Sequence, residues 1–140
     1  SLETFIQYSK NPFRKFNKRE LIGLGARFNL ENNLKAGIGI MNEDEEDLSA
    51  VLDRTVRLSS YLHSEFLIDE NIVFDLSAFI QPALNSFSDY KATLIGQLDF
   101  HVNENFKISL QYNTFYDSRP PSTAVKKEEG FATVFSYNFN

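Results

Sequence analysis

From Phe106 to Tyr116 the chain reads FKISLQYNTFY, with Phe106, Ile108, Leu110, Tyr112, Thr114 and Tyr116 on even positions and Lys107, Ser109, Gln111, Asn113 and Phe115 on odd ones. Successive side chains of a strand point to opposite sides, so this stretch predicts a strand with one apolar and one polar face. The same alternation recurs over residues 2–9, 22–30, 34–40, 56–66, 72–82, 91–102 and 131–139. The apolar set is even-numbered in all of these but the last, where Phe131, Phe135, Tyr137 and Phe139 switch parity. No charged side chain interrupts the apolar face of any segment.

The connections alternate in length. ENN at 31–33, IDE at 68–70 and NEN at 103–105 predict tight turns, whereas PFRKFNK, NEDEEDLSA, ALNSFSD and DSRPPSTAVKKEEG predict long polar loops. Short turns at one end and long loops at the other, between segments of about 9–11 residues, fit strands that cross a bilayer at a tilt. The expected fold is all-β: an antiparallel up-and-down transmembrane β-barrel, each strand pairing with the next.

Volume decides which face looks outward. The inside of an eight-stranded barrel is only just wide enough for side chains, and it cannot hold the Phe, Leu, Ile and Tyr of every strand. Gly, Ser, Thr, Gln and Asn on the other face fit there. An outward apolar band of that size exceeds what a soluble monomer exposes, so the surrounding medium is expected to be lipid, against the alternative of a soluble lipocalin-like barrel. Tyr8, Tyr112, Tyr116 and Phe131 toward the long loops, with Phe66, Phe100, Phe106 and Phe139 toward the short turns, supply the interfacial aromatic girdles in a chain without Trp.

Composition changes this picture little. A hydrophobic content of 42% and a mean hydropathy of -0.31 suit a soluble globule and a membrane barrel alike, because alternation averages out. At 140 residues a single domain over 1–140 is expected. A formal net charge of -5 argues against nucleic acid as a partner, and the absence of Cys excludes disulfides and thiolate metal sites. No apolar run is long enough for a spanning helix.

Four stretches, LETFIQYSKNPF, RELIGLGARF, QPALNSFSDYK and YDSRPPSTAVKKEEGFATVFSYNF, resemble the salt-induced outer-membrane protein family, a bacterial group also described as domain of unknown function 481. The resemblance implies an outer-membrane barrel of a Gram-negative bacterium. FATVFSYNF is similar to the aromatic-ending signal read by outer-membrane assembly machinery, with Asn140 following Phe139. Family members are longer, which implies further strands before Leu2 in a barrel of about twelve. It implies no established activity and no catalytic residues.

On the polar face, His63, Glu65, Asp75, Asp99, His101 and Lys107 gather toward the short turns. Three-residue turns are expected to set His63 opposite Asp75 and Asp99 opposite Lys107. A His oriented by a carboxylate can activate a hydroxyl such as that of Ser77 or Ser59, the chemistry of a lipid-modifying enzyme. A charge-balanced network filling the lumen is the favoured reading. Glu43, Asp44, Glu45, Glu46 and Asp47 form an acidic run expected in a solvated loop, able to approach lipopolysaccharide through divalent ions but lacking the ligand order of a calcium loop. Pro120 and Pro121 stiffen the last loop, where Lys126 and Lys127 can meet lipid phosphates. Gly23, Gly25, Gly37 and Gly39 fit close packing inside a barrel rather than a phosphate cradle. No catalytic residue, metal site or cofactor is expected. The functional expectation is a structural or interaction barrel whose partners are the lipid bilayer, lipopolysaccharide and other envelope proteins, with a small solute pore as the alternative.

Overall fold

The computed structural model describes residues 1–11, 16–30, 33–47, 50–120 and 124–139. Residues 31 and 32 of the first expected turn, much of the first long loop, Pro121 and Asn140 lie outside the described residues. Among the described residues all regular structure is β: β1 (Leu2–Asn11), β2 (Phe16–Asn29), β3 (Leu34–Asp47), β4 (Leu52–Asp69), β5 (Ile72–Ala83), β6 (Ser86–His101), β7 (Phe106–Asp117) and β8 (Lys127–Tyr137). They form one eight-stranded antiparallel sheet in chain order. The register carries a single row from Leu2 through Ala26, Ile38, Ser60, Ile80 and Ala92 to Tyr116, so even positions share one face across seven strands. Tyr116 then pairs with Lys127, which produces the parity switch in β8.

Burial is inverted relative to a water-soluble sheet. Among the described residues every buried position is odd-numbered, and the buried set includes Arg19, Glu43, Arg57, Lys91, Asp99 and Asp117 beside Leu21, Met41 and Ala83 as its apolar side chains. Glu43, Arg57 and Lys91 keep 2%, 4% and 5% of their surface, whereas Ile6, Leu24 and Phe131 on the other face keep 81%, 66% and 80%. The polar face is therefore concave and the apolar face convex. Aromatic pairs mark two levels of the convex face: Tyr90 with Tyr116 and Tyr112 with Phe131 toward the long connections, and Phe66 with Phe74 and Phe106 with Phe135 toward the short turns.

Three expected long loops are shorter than their sequence suggests. β3 runs through Asp47 and so absorbs the acidic run, β6 begins at Ser86 and leaves only Leu84 and Asn85 between it and β5, and β8 begins at Lys127. Apolar alternation stops where the convex face turns polar. Ladder hydrogen bonds do not depend on side-chain polarity, so the strands continue past that point.

The glycines let the curl tighten. Gly37 pairs with Tyr61 and Gly23 with Phe5, and in each case the ring lies where a Cβ would stand. Among the described residues no ladder joins β8 back to β1, so these two strands are the edges of the sheet.

Candidate functional site

The densest chemistry lies on the concave face toward the long connections. Pairing sets Leu21, Glu43 and Thr55 in one row, with Arg19 and Arg57 a pleat repeat away on β2 and β4. Arg19 Nε donates to Glu43 Oε1 at 2.6 Å, and Lys91 Nζ donates to the same oxygen at 2.7 Å. Arg57 Nε donates to Glu43 Oε2, while its Nη1 reaches Asp89 Oδ1 at 2.9 Å and the Gln81 carbonyl at 3.2 Å. Lys91 also donates to Glu45 Oε2 at 2.9 Å and lies 3.8 Å from Asp117. Buried charges are tolerated only when paired and hydrogen-bonded, and the cations Arg19, Arg57 and Lys91 face the carboxylates Glu43, Glu45, Asp89 and Asp117.

A second cluster closes the concave face near the start of β1. The Tyr61 hydroxyl donates to Glu3 Oε2 at 3.1 Å and accepts from Arg27 Nε at 3.1 Å, while Arg27 also pairs with Glu3. Strands β1 and β4 meet here through side chains alone, which the curl makes possible.

The six residues singled out from sequence do share the concave face, but their pairing differs from expectation. Glu65, not His63, stands opposite Asp75; His63 stands opposite Ser77, and its Nδ1 lies 2.9 Å from Ser77 Oγ. The cause is a turn of only Glu70 and Asn71 combined with an irregularity between Leu67 and Asp69, which slides the register by one pleat repeat. Asp99 stands opposite Ser109 and Lys107 opposite His101, with no irregularity in the ladder, because Val102 and Phe106 flank the turn and the register counts back from there. Lys107 still reaches Asp99 diagonally, Nζ to Oδ2 at 2.8 Å, because a long side chain spans to the next pair along the strand. Gln97 donates to Asp99 at 2.9 Å and Gln111 to Gln97 at 2.7 Å, so these groups form one ladder with Lys107. His101 lies by the turn with Asn103 and Asn105. His63 and Ser77 form a base–hydroxyl pair, but among the described residues no carboxylate hydrogen-bonds His63 to orient it.

The acidic run is divided by strand alternation instead of lying solvated in a loop. Glu43 and Glu45 turn inward to the cations, while Asp44 turns outward, paired with Arg54 at 3.3 Å. Among the described residues, no group of His, Asp and Glu is placed to hold a metal ion. Lys127 pairs with Glu129 at 3.0 Å at the start of β8.

Arg19, Arg57, Lys91, Asp89 and Asp117 were not singled out from sequence. The signal is nonetheless present: Arg57 and Lys91 stand on the odd, polar face at the start of the segments 56–66 and 91–102, and Arg19, Asp89 and Asp117 continue that parity just beyond a segment.

The class is a single antiparallel up-and-down sheet whose concave face is polar and ion-paired and whose convex face is apolar. Residues 1–139 match the family described as Protein of unknown function, DUF481, and the chain belongs to that family. No curated protein and no solved structure matches it.

Proposed function

We propose that the sheet is the wall of a β-barrel in the outer membrane of a Gram-negative bacterium, with a structural or interaction role and no catalysis of its own. The observation that carries this reading is the inverted burial: Glu43, Arg57 and Lys91 inside, Ile6, Leu24 and Phe131 outside. Such a convex face is stable against acyl chains and unstable against water. The end of the sheet that carries the one long connection, 118–126, then faces the cell exterior, beside lipopolysaccharide, and the end that carries the Glu70–Asn71 turn faces the periplasm.

Closure follows from strand direction. β1 and β8 run antiparallel to one another, so β8 joins β1 directly or through an even number of further antiparallel strands. An unpaired row of backbone groups cannot face lipid, which makes one of these closures a requirement of the reading.

The ionic network argues for a plugged lumen over a solute pore. Side chains from β2, β3, β4, β6 and β7 meet across the concave face and fill it with paired charge. Planar-bilayer recording tests this: the plugged barrel gives no stable conductance steps, and reproducible single-channel steps would establish the pore instead. Native extraction of the membrane complex, followed by identification of what co-purifies, addresses the interaction role.

A further inference from the structure

Beside the ionic network lies a cavity of about 560 Å³, within the size range of small-ligand sites. Thr93 and Ile95 follow Lys91 on the concave face of β6, and Phe115 and Asn113 precede Asp117 on that of β7, which places the cavity on the short-turn side of the network. We infer that this chamber binds a small neutral polyhydroxylated solute of the saccharide type; the inference rests on the barrel reading, in which the concave face is the inside of the wall.

The lining has the two components such a ligand requires. Gln7, Gln81, Asn113 and Thr93 converge on the chamber from four different strands. Their side chains make no hydrogen bond to another described residue. Elsewhere on the concave face Gln111 pairs with Gln97 and Ser77 with His63. An amide both donates and accepts, and so does a hydroxyl, so unpaired amides are matched by a polyol better than by an ion.

The second component is aromatic. Phe79, Thr93 and Phe115 lie in one register row across β5, β6 and β7, so two rings flank a hydroxyl within the same wall. The C–H face of a pyranose covers such a ring while its edge hydroxyls reach the amides. Water alone satisfies the amides but leaves the half-buried rings of Phe79 and Phe115 against water. Charge does not select an ion either: Arg19 is engaged by Glu43, Glu129 pairs with Lys127, and among the described residues no group of carboxylates is placed to hold a metal ion.

The test uses the chain folded in a sugar-free detergent, with maltose, sucrose and trehalose titrated by saturation-transfer NMR and calorimetry. At least one of the three is expected to bind saturably, with a Kd of about 1 mM or tighter. The double variant Gln81→Ala, Asn113→Ala is expected to weaken that binding by about tenfold or more, and Thr93→Trp, which fills the chamber, is expected to abolish it. Absence of saturable binding for all three sugars overturns the inference, as does binding that both variants leave unchanged. Heat-modifiable gel mobility on the same sample reports the barrel separately, so mobility kept without binding defeats this inference alone.

Discussion

Lys91 on β6 and Glu43 on β3 meet at 2.7 Å although two whole strands stand between them. On a flat sheet three strand spacings amount to about 14 Å, so the contact is a direct sign of the curl. It also fixes what the curl encloses: a buried carboxylate that receives Arg19, Arg57 and Lys91 together.

Removing that carboxylate takes away the one anion that Arg19, Arg57 and Lys91 share and leaves them with Glu45, Asp89 and Asp117. Glu43→Gln is expected to destabilise the folded chain by about 3–5 kcal/mol, the cost of breaking a buried ion pair from one side. Urea titration in detergent micelles measures it. Adding Lys91→Met to Glu43→Gln is expected to recover part of the loss, and strict additivity of the two substitutions would contradict the shared network.

Ile38 distinguishes a lipid-facing from a water-facing convex surface. It sits in the middle of the even face of β3 and is 50% exposed. In a bilayer, Ile38→Arg is expected to cost about 2–4 kcal/mol near the midplane. In water the same exposed substitution is expected to fall within about 0.5 kcal/mol of neutral. Refolding into phosphatidylcholine vesicles, with and without the substitution, reads the difference.

Gly37 carries the ring of Tyr61 over its Cα. Gly37→Val is expected to displace that ring and to destabilise by about 1–3 kcal/mol. Tyr61→Ala in the same chain is expected to relieve part of the strain. It also removes the hydroxyl that bridges Glu3 and Arg27, so the rescue is expected to be incomplete.

Period-two alternation made the sheet legible in the sequence, because one face had to be apolar along the length that needs cover. The common parity from Leu2 to Tyr116 and the switch at Phe131 both reappear in the register. Strand ends were less legible: Glu43 to Asp47 carries charge on both faces, so nothing in its polarity distinguishes a strand from a loop. The local pairing of His63 was also hidden, since a turn two residues long and one three residues long are nearly indistinguishable in IDEN, yet they place Ser77 or Asp75 opposite the imidazole. Arg19, Arg57 and Lys91 come together only through the curl, which sequence spacing does not encode.

The central claim is that the convex face, with Ile6, Leu24 and Phe131 exposed on it, meets lipid. Alkaline carbonate extraction of membranes from cells expressing the chain, followed by flotation of the pellet on a density gradient, tests it most directly. The expected result is that the protein stays with the floated membranes and is released only by detergent. Recovery of folded, monodisperse protein in the detergent-free supernatant would contradict it.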